Sequence, residues 1–175
     1  GRGALVAAWE GGRLSSDEDF HVRLIFLGFW GRDGDMPSAE HELGGILAVL
    51  ERGPAGPERW ESLCDTLRAI PWWGPLLQSA LRWLQATPDS AKAHFLVGLA
   101  AMQLDDWDVA REHADWIIQR GAGPDSAPHV LEALLIRSGA RVHAGDLPGA
   151  RADLDQAARL SPEDPRVVRA QKLLR

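Results

Sequence analysis

Six histidines, one cysteine and a pair of arginines one helical turn apart are the residues through which this chain could do chemistry. A zinc-binding helix needs a second histidine one turn from the first. The stretch "EHELGG" around His41 has none, and Cys64 has no partner cysteine, so no metal site is expected. Nothing near Cys64 in sequence would lower its pKa, and a buried, inert thiol is expected rather than a nucleophile. The glycine-bearing stretches "GRDGD" and "GAGPD" neither follow a strand pattern nor end in Gly-Lys-Ser/Thr, so no phosphate loop is implied. Arg137 and Arg141 have the charge to grip an acidic ligand, but ion pairs with Asp115, Asp153 or Asp155 are the expected use. No carboxylate pair or Ser-His-Asp arrangement can be placed. The expectation is a non-catalytic protein with no cofactor.

Bulk properties narrow the remaining jobs. At 175 residues and 45% hydrophobic, the chain can bury a core as one domain or as a short array of repeated units. A net charge of -6 argues against nucleic acid and anionic membranes as partners, because both demand a basic surface. No run of 18 apolar residues occurs, so no spanning helix and no direct membrane insertion are expected. The opening "GRGALVAAWEGG" reads as an excised domain or a processed terminus. A lone cysteine fits a reducing compartment, the cytoplasm, with the periplasm left open. Lysine occurs only at Lys92 and Lys172 among 19 basic residues, a bias that points to a GC-rich bacterial genome.

The elements that would position any site come from an internal echo. Gly34 to Ala39 reads "GDMPSA" and Gly145 to Ala150 reads "GDLPGA", each followed by an amphipathic helical pattern. At a pitch of about 34 residues the chain divides into 20–53, 57–90, 91–124 and 131–164, with short insertions at two junctions. The third unit is the clearest. Phe95, Leu96, Leu99 and Met102 lie at helical spacing before "LDDWD", and Ala110, Ala114, Ile117 and Ile118 after it. Each helix alone would expose an apolar stripe, and stacked pairs bury it. The run "DFHVRLIFLGFW" alternates well enough for a strand, yet Ser16-Asp17-Glu18-Asp19 is a good helix start and a lone strand would have no partner. Residues 1–19 read as an N-terminal cap or truncated helix, with Ala4 to Trp9 helical, and 165–175 as a one-sided closing helix.

This pattern resembles the tetratricopeptide repeat: a small residue in the middle of the first helix, a Gly-Asp turn followed by an aromatic, an alanine opening the second helix, and a proline after it. Gly98, Asp106, Trp107 and Ala110 supply it in the third unit; Ser138, Gly145, Asp146, Leu147, Ala150, Ala157 and Pro162 in the fourth. Trp60, Leu63, Cys64, Leu67, Ala80, Trp83 and Pro88 match in the second, where "IPWWGP" replaces the turn, and Phe26, Gly34, Asp35, Ala39, Leu43 and Ile46 in the first. The resemblance implies an all-α solenoid of about four helical hairpins with terminal caps. It assigns Trp30, Trp60, Trp83 and Trp107 to packing. It also implies a concave peptide-binding groove lined by first-helix residues: His21 and Leu24; Glu58, Glu61, Asp65 and Arg68; Lys92, Phe95, Leu99, Met102 and Gln103; Glu132, Leu135, Gly139, Val142 and His143. The expected partner is a protein or peptide, an amphipathic segment with a basic end suiting an apolar floor beside Glu58, Glu61 and Asp65. A regulatory or substrate-presenting domain of a larger enzyme, and a self-assembly module docking a second copy, are the alternatives left open.

Overall fold

A computed structural model describes residues 12, 14–52, 56–121 and 123–174. The expected helix at Ala4 to Trp9 lies outside them. The chain forms two compact units that divide between Trp72 and Trp73.

The first unit contains α1 (Ser16–Asp33), α2 (Met36–Glu51) and α3 (Pro57–Ala69). The run that could have been a strand is the body of α1. Its cap is Ser15, one residue earlier than expected, and the Ser15 and Glu18 side chains close a reciprocal capping box. The strand-like alternation arises because α1 is apolar nearly all round. Phe20, Val22 and Leu27 are buried, while Ile25 and Phe29 stand exposed. Gly34 ends α1 in the left-handed region at φ 82, and Asp35 then caps α2 by accepting from the Ser38 amide. Helix α2 packs on α1 through Ala39, Leu43, Ile46, Val49 and Leu50, and α3 packs on α1 with Trp60, Leu63, Cys64 and Leu67 buried. The buried Glu42 of α2 is met by Arg23 at 3.1 Å, whose Nε also donates to Asp19.

The second unit runs α4 (Trp73–Ala86), α5 (Ala91–Gln103), α6 (Trp107–Arg120), α7 (Val130–His143), α8 (Leu147–Leu160) and α9 (Pro165–Leu173). Each helix packs on the next, and α5 also touches α7. That double contact explains why α5 is buried almost all round, from Ala91 to Ala101. Its approach to α6 is close at Gly98, where an added Cβ would sit 3.5 Å from the Ala110 carbonyl oxygen and 3.6 Å from His113 Cβ. Gly145 takes φ 78 before the cap Asp146, repeating the Gly34–Asp35 turn. At the same place between α5 and α6, Asp105 takes φ 60 before the cap Asp106. A residue with a side chain bears there a conformation that costs glycine almost nothing.

Helix α9 seals the end of the core through Val167, which packs with Leu134 and Ala157. Arg166 reinforces it by donating to Glu132 of α7 at 2.7 Å and to Asp164. The Arg166 side-chain and backbone bonds hold the Asp164 carboxyl down at about 2. Leu173, expected to share the sealing, is 76% exposed, because only the first turn of this short helix reaches the core.

Candidate functional site

Two arginines of α7 point inward, as expected, but to bind carboxylates of this chain rather than a ligand. Arg137 grips Asp153 of α8 with Nε at 3.0 Å and Nη2 at 2.6 Å, and reaches Asp115 of α6 with Nη1 at 2.8 Å. Arg141 adds a contact to Asp153 at 2.9 Å and donates to the Gly149 carbonyl. Asp153 is 2% exposed, so its charge is sustained by these two guanidinium groups. Asp155, the third expected partner, accepts instead from Gln171 of α9.

A histidine pair forms a second polar cluster. His94 Nε2 lies 3.0 Å from the Pro88 carbonyl oxygen, which can only accept, so Nε2 carries a proton. Burial, opposed by that bond and reinforced by neighbouring His113 and Arg120, pushes the His94 pKa down to about 4. A neutral His94 must then accept at Nδ1, and His113 Nδ1 donates to it across 2.8 Å. The His94 ring stacks on Trp116 at 3.7 Å, and the Arg120 guanidinium lies 3.6 Å from the Trp116 centroid. Trp116 is thus a packing residue. The pair's facing lone pair and proton are used on each other, which makes the cluster a structural pin.

The surface most suited to a partner lies at the end of the second unit. A groove of about 400 Å³ is lined by Trp107, Leu135, Gly139, Val142, Ala170 and Leu173, among others. Helix α7 supplies its floor, the first residue of α6 one wall, and α9 the other. Gly139 keeps the floor low: a Cβ there would meet the Trp107 ring at 3.4 Å. The Trp107 and His143 rings stack at 5.2 Å along one side. Beyond this stack lies a polar notch of about 210 Å³ bordered by Asp105, Asp106, Asp108 and Arg111. An open apolar trough beside an acidic notch can hold a side chain and orient a charge.

Of the residues expected to line a groove, Leu135, Gly139, Val142 and His143 come together here. Lys92, Leu99, Met102 and Gln103 lie elsewhere on α5, the first three partly buried and Gln103 exposed. Phe95 is not open floor. It is 9% exposed, its ring stacked at 5.2 Å on His129. Glu132 is engaged by Arg166. In the first unit, Glu58 and Arg68 are exposed, Leu24, Glu61 and Asp65 partly buried, and His21 lies against the Asp17 carbonyl. Arg68 approaches Asp65 at 3.9 Å. Trp107, Ala170 and Leu173 were assigned to packing and capping, yet they form both walls. The exposed apolar end of a one-sided closing helix was the signal available for Leu173.

No protein-family profile matches the chain, and no curated protein matches it in sequence. Solved structures do match in shape. MamA aligns over 90% of this chain and 81% of its own with a TM-score of 0.68 at 16% identity. The Arabidopsis OM64 TPR domain aligns over 68% of this chain and 93% of its own, with a TM-score of 0.61 at 18% identity. YrrB, a TPR protein with an unusual peptide-binding site, aligns over 82% of this chain and 69% of its own, with a TM-score of 0.63 at 15% identity. The fold is therefore an all-α solenoid of the tetratricopeptide-repeat type.

Proposed function

We propose that this chain is a non-catalytic interaction module that holds a peptide or helical segment of a partner protein in the α6–α7–α9 groove. The observation that carries the reading is the trough itself: apolar, open and lined by residues of α6, α7, α8 and α9. The peptide-binding site of YrrB, a structural neighbour, supports the same use. A single cysteine, the buried Cys64, supports a reducing compartment, the cytoplasm, as the place of action.

A peptide-display screen against the protein and against Val142→Asp tests the reading. Val142 is 40% exposed, so the aspartate can be solvated without unfolding the helix. Sequences enriched on the parent and lost on the variant are expected. Enrichment indifferent to Val142→Asp would put the binding face elsewhere. A second copy is the competing occupant, favoured by the exposure of Leu160 and Leu173. Light scattering over a concentration series that shows dimers abolished by Val142→Asp would replace the peptide reading with self-assembly.

A further inference from the structure

The apolar groove and the acidic notch share a wall. Trp107 and His143 line both, so an extended segment lying along α7 would cross from one into the other. The notch is bordered by three carboxylates, Asp105, Asp106 and Asp108, and by one guanidinium, Arg111, which leaves negative charge in excess. Asp106 is committed to capping α6 through the Val109 amide. Asp105 forms no ion pair among the described residues, and Asp108 is nearly fully exposed with Arg111 only at 3.9 Å. The opposite wall, α9, contributes the apolar Ala170 and Leu173 and no charged residue to the groove lining. The site is thus apolar along the groove and negative at the Trp107 end.

From this charge complementarity we propose that the groove's occupant is a segment of a partner protein with a bulky aliphatic or aromatic side chain followed closely by lysine or arginine. The apolar side chain lies over Leu135, Gly139 and Val142. The cation passes the Trp107–His143 stack and sits among Asp105, Asp106 and Asp108. Negative charge gathers at the Trp107 end alone, so charge sets the direction in which the segment lies. This inference rests on the groove being a peptide site, and it moves the acidic wall expected at Glu58, Glu61 and Asp65 to the turn between α5 and α6.

The test uses three labelled peptides: two leucines followed by two lysines, the same with glutamates for the lysines, and the same with serines for the leucines. Fluorescence anisotropy measures each against the parent, against Val142→Asp, and against the double variant Asp105→Gly, Asp108→Lys. The double variant is chosen to spare the fold, because glycine is what Gly34 and Gly145 provide at the matching turns, and Asp108 is solvent-exposed. The lysine peptide is expected to bind about tenfold more tightly than the glutamate peptide at low salt, and the serine peptide to bind neither groove nor notch. Val142→Asp should abolish binding of both leucine peptides. The double variant should erase the lysine preference with its helical signal intact. Leucine peptides that bind equally well whatever their charge would overturn this inference and leave the peptide site standing. A lysine preference that survives the double variant would overturn the notch. Failure of every peptide, together with an empty display screen, would overturn the peptide site itself.

Discussion

Removing the carboxylate of Asp153 isolates the energetics of the inward-facing arginines. In Asp153→Ala, Arg137 loses its bonds from Nε and Nη2 and keeps Nη1 to Asp115, while Arg141 keeps the Gly149 carbonyl and a 3.7 Å approach to Asp146. The Arg137 side chain is only 14% exposed, so water replaces little of what is lost. Breaking a buried ion pair by deleting one partner costs about 3–5 kcal/mol, and the retained bonds place this variant near the lower end, about 3 kcal/mol. Urea unfolding followed by tryptophan fluorescence and by circular dichroism measures it. A double-mutant cycle with Arg137→Met and Asp153→Leu should return a coupling of about 2 kcal/mol, since an apolar pair leaves no orphaned charge between them. A loss below about 0.5 kcal/mol in Asp153→Ala, or strict additivity in the cycle, would refute the claim that Asp153 is a buried charge sustained by two guanidinium groups.

The close contact of α5 and α6 predicts opposite outcomes at one position. Gly98→Ala should be tolerated, its Cβ meeting neighbours at ordinary contact distances, whereas Gly98→Leu should lose about 1–3 kcal/mol by overpacking; thermal melts of the pair decide it. Because the His94 pKa is depressed in the folded state, the unfolded chain binds the extra proton. Its contribution is therefore complete above pH ~6.5 and is lost as pH falls toward ~4, by up to about 3 kcal/mol. Unfolding of the parent and of His94→Phe from pH 7 to 4 should differ in slope, and parallel curves would show the pair is not depressed. Deleting 165–175 removes Val167 from its contacts with Leu134 and Ala157 and should fray α7 and α8, seen as lost helical signal or aggregation in size-exclusion chromatography.

Local chemistry made much of the fold legible. A Gly-Asp pair announces a left-handed cap and a fresh helix start, and the turns at Gly34 and Gly145 do this with Asp35 and Asp146 as caps. Arg137 and Arg141 were legible for a related reason: a charge on an apolar stripe must find a partner, and nearby aspartates were available. Phe95 shows the limit. Its helix and face are readable from spacing, but the residue that covers it, His129, belongs to the insertion before the fourth repeat, whose path no periodicity encodes. Burial holds His129 toward its neutral form, suited to lying flat on that ring. Trp107 packs as expected, stacked on His143 and against Gly139, but its second role as a groove wall was not legible, because the two differ only in whether the next helix closes over the ring. That depends on how α9 lies, which the pitch of the repeats does not carry.

In a solenoid each hairpin touches its neighbours alone, so its stability is nearly a sum of local and nearest-neighbour terms and its ends can unzip independently. Arg137 disturbs that independence, for its one guanidinium holds Asp153 of its own hairpin and Asp115 of the hairpin before. Opening the boundary between α6 and α7 therefore strips Arg137 of its one bond to Asp115 while α7 and α8 are still paired, and opening α7 from α8 strips the two bonds to Asp153. Neither boundary can relax without weakening the other. The α6–α8 segment should accordingly exchange its amide protons as one cooperative block, with the helices that frame the groove floor losing their protection together.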